Sequence, residues 1–133
     1  MFHIDHTALS VSDMETSVAF YEKLGFILDK KWVAEDGSLS IVMLLKEGTW
    51  LELFCYQDKE ELPQSAKEIA TDLKVMGTKH FALHVNDLEE AIAYLLQNEL
   101  ISDRPEIKTG RLGRDYFFIS DPDGILVEII SEK

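Results

Sequence analysis

A chain of 133 residues with 46% hydrophobic side chains is long enough for a packed core and too apolar for a disordered segment. Its formal charge of −12 opposes binding to nucleic acid and to anionic membranes, whose partners present basic patches, but leaves room for a small anionic ligand. No apolar run approaches the roughly 20 residues of a membrane span, the start MFHIDH has no signal-peptide pattern, and a single cysteine, Cys55, fits a reducing cytoplasm, the expected location.

The first predicted element is an alternating strand, Ile4–Val11. It runs into a helix opened by a capping box, with Ser12 as cap and Glu15 as the reciprocal carboxylate. Met14, Val18, Tyr21 and Leu24 follow helical spacing, and Gly25 stands at the left-handed stop. Three strands are expected near 26–34, 38–46 and 49–56, divided by the turn signals Asp36-Gly37 and Glu47-Gly48. On the last of these Cys55 alternates with Leu51 and Leu53, which predicts a buried thiol. Residues 57–78 read as a polar linker with a short helix from Ser65 to Leu73.

The same order then returns. A strand at Lys79–Val85 leads to a helix capped by Asn86 with Glu89, faced by Leu88, Ile92 and Leu95 and stopped at Asn98. Strands follow at about 104–108, 114–120 and 125–131, separated by Gly110, Gly113 and Asp121-Pro122-Asp123-Gly124. HTALSVSDMETSVAFY (6–21) and HFALHVNDLEEAIAYL (80–95), offset by 74, share seven of sixteen residues, where average usage predicts about one. EGTWLELF (47–54) matches DGILVEII (123–130) at an offset of 76. The chain is a tandem repeat: one domain over 1–133, with a first module at about 1–56, the linker at about 57–78 and a second module at about 79–133.

Strand alternation assigns faces. Thr7, Leu9 and Val11 oppose His6, Ala8 and Ser10, and Phe81, Leu83 and Val85 oppose His80, Ala82 and His84. The apolar faces belong under the helices, so His6 and His80 lie on the other side. Glu52 sits between Leu51 and Leu53, and Glu128 between Val127 and Ile129. A carboxylate in that setting is costly to bury unless it meets a cation or hydrogen-bond donors. Two His and two Glu at equivalent places in both halves point to one divalent metal. Imidazole and carboxylate together suit Zn, Ni, Co, Mn or Fe(II), and four protein ligands leave two positions for a pair of substrate oxygens. His84 shares the face of His80 and is a candidate substrate contact. Trp50 and Phe54, flanking Glu52, form a candidate apolar wall, and the cluster Arg104, Lys108, Arg111 and Arg114 offers Arg111 and Arg114 as grips for an anion.

The segments HTALSVSDMETSVAFYEKLGF, KHFALHVNDLEEAIAYL and FFISDPDGILVEII resemble the vicinal-oxygen-chelate superfamily over nearly the whole chain. That resemblance implies an α+β fold, tandem βαβββ modules forming an incomplete β-barrel around the metal. It also implies a homodimer, with two ligands drawn from each subunit as one arrangement. Within the superfamily, His6, Glu52, His80 and Glu128 match the His-Glu-His-Glu set of bacterial glyoxalase I-like enzymes. The implied activity is a metal-dependent lyase or isomerase acting on a small oxygen-rich substrate by proton abstraction next to a carbonyl, with Glu52 or Glu128 moving the proton. Two departures argue against glutathione as co-substrate. Ser10 replaces the arginine that holds the glutathione carboxylate, and no asparagine follows Glu52. Phe118 stands where ring-cleaving relatives carry a tyrosine, with Tyr116 two positions away. The alternatives left open are a non-catalytic small-molecule binding or resistance protein of the same fold, and a metal-dependent transferase or hydrolase of an electrophile.

Overall fold

Residues 1–132 are described by a computed structural model, in which the chain divides into two compact units, Met1–Glu61 and the stretch from Leu62 onward. In the first unit, β1 (His6–Ser10) precedes α1 (Met14–Lys23), then β2 (Ile27–Val33), β3 (Leu39–Lys46) and β4 (Thr49–Tyr56). The sheet order is β1-β4-β3-β2, with β1 parallel to β4 and the other pairs antiparallel. The parallel pair follows from connectivity, since a crossover through a helix and two further strands returns the chain in the same direction.

Period-2 alternation determines which side of this sheet is filled. Val42, Leu44, Leu51 and Leu53 point one way and are almost wholly buried beneath α1. Each such aliphatic contributes about 1.5–3 kcal/mol relative to an exposed position. Tyr21, fully buried, meets Phe20 and Phe26 edge to face at centroid distances of 5.1 and 6.0 Å. Cys55 is half-buried rather than enclosed, because it lies near the strand end, where Lys59 folds over it and donates to the carbonyl of Ser12 at 2.7 Å.

The second unit begins with the linker. Its expected helix is split into a 3-10 turn at Gln64–Lys67 and one turn of α2 at Ile69–Asp72. There follow β5 (Phe81–His84), α3 (Leu88–Gln97), β6 (Lys108–Thr109), β7 (Asp115–Ser120) and β8 (Leu126–Ser131), in sheet order β5-β8-β7-β6. Phe117, Ile119, Val127 and Ile129 face α3, which buries Leu88, Ile92 and Leu95. Both sheets are open, not closed into a barrel, and the fold is α+β with the anticipated βαβββ order in each unit. No helix among the described residues is long and apolar enough to cross a membrane.

Several local expectations are corrected. The caps are Asp13, which accepts from the amide of Thr16, and Asp87, which accepts from those of Glu89 and Glu90. Each lies one residue beyond the Ser12 and Asn86 expected, and a carboxylate there also meets the positive end of the helix dipole. Gly25 is left-handed (φ 96°), as a helix stop requires, but Asn98 is not (φ −93°) and Glu99 takes that conformation (φ 57°). The strand expected at about 104–108 contracts to Lys108–Thr109, because Arg104 turns out of the sheet toward Glu89.

Candidate metal centre

Each unit places one histidine beside one glutamate on the sheet face away from its helix. In the first, the parallel register aligns Ala8 with Glu52 and His6 with Trp50. His6 therefore enters at the start of β1, one strand from Glu52, and its Nε2 lies 3.8 Å from Glu52 Oε1. The other ring nitrogen, Nδ1, is 2.7 Å from Asp5 Oδ2. The hydrogen bond with Asp5 raises the His6 pKa above the ordinary 6.5, with a smaller contribution in the same direction from the charge of Glu52. A carboxylate on Nδ1 places the imidazole proton there and leaves Nε2 free to donate its lone pair.

In the second unit His80 immediately precedes β5, and its Nε2 lies 3.2 Å from Glu128 Oε2. This pair is the more enclosed, with side-chain exposures of 20% and 16% against 39% and 22% for His6 and Glu52. Phe118 stands opposite Glu128 in the register and meets the His80 ring edge to face at 4.8 Å. The repeat fails at the neighbour of the histidine. Where Asp5 precedes His6, Lys79 precedes His80, and its ammonium is paired with Asp72 at 3.2 Å. The buried Nδ1 of His80 has no hydrogen-bond partner. The two histidines are thus held differently, one by a carboxylate and one by packing against a ring.

The donor chemistry fits a divalent cation. In each pair an imidazole nitrogen and a carboxylate oxygen face each other, close enough for one ion with bonds of about 2.0–2.2 Å to reach both. Without a proton or cation between them, two electron-pair donors at such separations gain nothing from proximity. Among the described residues, no group of three or more His, Cys, Asp or Glu is placed to hold a metal ion together, so the four candidates stand as two pairs, one per unit.

The remaining candidates divide. Trp50 and Phe54 lie on the same face as Glu52, and the indole Nε1 donates to Asp29 Oδ2 at 2.9 Å. Asp29 reaches that face because the β2–β3 register shifts between Leu28 and Lys30, a bulge that re-aims its side chain. His84 is exposed on the face of Glu128. Arg114 pairs with Glu132 at 3.2 Å, and Arg104 grips Glu89 with contacts of 2.6 and 2.7 Å. Arg111 is exposed. Sequence reasoning missed Asp5 and Asp29. The acidic residue immediately before His6 was a usable signal for the first, whereas the second depends on a bulge with no local signature.

Known proteins share this fold. The profile of the glyoxalase/bleomycin resistance protein/dioxygenase superfamily matches residues 3–129. A lactoylglutathione lyase of Schizosaccharomyces pombe is 28% identical over 99% of the chain, which spans 46% of that protein's length. The mitochondrial methylmalonyl-CoA epimerase of Homo sapiens is 26% identical over 95% of the chain and 72% of its own length. The crystal structure of a glyoxalase family protein from Enterococcus faecalis superposes with a TM-score of 0.80 at 25% identity, covering 96% of each chain.

Proposed function

This chain belongs to the glyoxalase/bleomycin resistance protein/dioxygenase superfamily, and within it we propose a metal-dependent lyase or isomerase of glyoxalase I type. Its reaction is the removal and return of a proton next to a carbonyl. The observation that carries the reading is the duplicated pair, His6 with Glu52 at 3.8 Å and His80 with Glu128 at 3.2 Å. His6, Glu52, His80 and Glu128 would hold one divalent ion, drawn from a single chain or from two chains of a homodimer. Bound there, a divalent ion supplies Lewis acidity toward two neighbouring substrate oxygens. Asp5 orients the His6 ring through Nδ1, and Phe118 holds the plane of His80. Glu52 or Glu128 takes the proton from the carbon next to the carbonyl and delivers it to the same or the adjacent carbon. Trp50 and Phe54 exclude water from the Glu52 side, while His84 and Arg111 are exposed for substrate contact and Arg114 would exchange Glu132 for the substrate.

The similar proteins support the reaction class. One is named a lyase and another an epimerase, and inversion at an acidic carbon is itself proton removal and return. The test is a panel of 2-oxoaldehyde–thiol adducts, 2-hydroxy ketones and acyl thioesters, incubated with metal-loaded protein in D2O and followed by product mass. Turnover that adds only solvent deuterium supports the proposal. Addition of a nucleophile would place the protein among transferases or hydrolases, and stoichiometric binding without turnover would make it a binding protein.

A further inference from the structure

The repeat is kept at the His–Glu pairs and abandoned one step further along each sheet. Beyond Glu52, the row crossing the open face from β1 to β2 is Ser10, Phe54, Ile41 and Trp32. The corresponding row beyond Glu128 is His84, Ile130, Tyr116 and Lys108. Ser10, Ile41 and Trp32 thus give way to an imidazole, a phenol and an ammonium. A site that bound two equivalent groups would have no use for this difference. An unsymmetrical ligand would.

The second row is built rather than incidental. The phenol ring lies alongside the backbone at Gly110, where a Cβ would stand 3.4 Å from Tyr116 Cε1, at ordinary contact distance. On its other side the ring meets Phe118 edge to face at 5.7 Å, and Phe118 in turn meets His80 at 4.8 Å. Tyr116 is therefore seated two ring contacts from a candidate metal ligand. Its hydroxyl and the Lys108 ammonium have no hydrogen bond or ion pair among the described residues, whereas Arg104 and Arg114 are engaged by Glu89 and Glu132. Tyr116 and Lys108 sit on adjacent strands, about 4.8 Å apart, and His84 lies two strands from Tyr116 and three from Lys108, about 10 and 14 Å along the row. In a chain of net charge −12, a row of three donors without an acidic residue among them selects for negative charge.

We propose that His84, Tyr116 and Lys108 hold an anionic oxygen group, carboxylate or phosphate, at the far end of the substrate. The inference rests on the metal reading above and narrows its substrate class. The substrate is a small oxyacid that offers two neighbouring oxygens to the metal and carries an anionic group about one strand step, roughly 7 Å, away. Lys108 supplies the charge, Tyr116 a directed O–H donor and His84 a second N–H donor.

The experiment is calorimetric titration of metal-loaded protein with three hydroxamates: acetohydroxamate, which lacks a tail, succinomonohydroxamate and phosphonoacetohydroxamate. Metal content is measured on every sample. An anionic tail should tighten binding by about tenfold or more, as one charge-assisted contact does. That advantage should collapse in Lys108→Ala and Tyr116→Phe, shrink in His84→Asn, and fall as NaCl is raised. Preference for the carboxylate or for the phosphonate tail identifies the natural group, and either supports the site. Equal affinity for all three ligands, or a tail preference that survives all three substitutions, overturns the inference while leaving the metal reading intact. Protein that retains no metal and binds no hydroxamate overturns both.

Discussion

Asp5→Asn isolates the carboxylate contact that His6 has and His80 lacks. In the wild-type chain, Asp5 Oδ2 lies 2.7 Å from His6 Nδ1 and raises the imidazole pKa above 6.5. Loss of a carboxylate hydrogen-bonded to a metal-bound histidine typically costs tenfold to a hundredfold in metal affinity. Asp5 is 68% exposed, so solvent screens much of its charge, and the effect expected is at the low end, about tenfold at pH 8. The pH dependence has a definite sign. A proton on His6 competes with the metal, and Asp5 extends that competition to higher pH by favouring the protonated ring. In Asp5→Asn the His6 titration midpoint, read by NMR in metal-free protein, should fall toward 6.5. The acid limb of metal loading should move down with it, while affinity at high pH weakens because the carboxylate no longer polarises the ring. A variant whose His6 titration and metal affinity both match wild type would refute the reasoning.

Three further outcomes follow from the geometry. Asp87→Ala removes the acceptor for the amides of Glu89 and Glu90 and should cost about 1 kcal/mol in chemical denaturation, whereas Asn86→Ala should cost less than half of that. Gly25→Ala should destabilise by about 1 kcal/mol, because φ is +96°, a conformation that a Cβ strains, while the Lys46 ammonium beside it can swing away; wild-type stability would contradict the backbone assignment. Leu53→Ala, at a fully buried position beneath α1, should cost about 2–5 kcal/mol, measurable as a lowered denaturation midpoint.

The elements and both His–Glu pairs were legible because they rest on period-2 alternation, and the duplication repeats the signal at an offset of 74 for the histidines and 76 for the glutamates. Glu52 between Leu51 and Leu53 stands out in sequence for the same reason that it stands out on the sheet. What the sequence hid is of two kinds. At helix starts Ser12-Asp13 and Asn86-Asp87 each offer two cap-type residues in succession, and only backbone geometry shows the carboxylate to be the one that reaches the free amides. Elsewhere the partner is distant in the chain. Asp29 reaches Trp50 through a bulge, Arg104 leaves its expected strand for Glu89, and Phe118 finds His80 across two strands. No window of adjacent residues contains those pairings. The neighbour of the second histidine shows the same limit, since Lys79 reads as a strand residue until its bond to Asp72 is known.

The central claim is that the two His–Glu pairs serve a single metal, and metal stoichiometry tests it most directly. Protein purified without chelator, reloaded with each divalent ion in turn and analysed by native mass spectrometry with elemental analysis, should carry one ion per chain, whether the four ligands come from one chain or two. His6→Ala and His80→Ala should each lower affinity at least about tenfold, since losing a ligand does more harm than losing its supporting partner. Full metal content in both variants would contradict the account, and so would two ions per chain that are lost independently, one with each histidine.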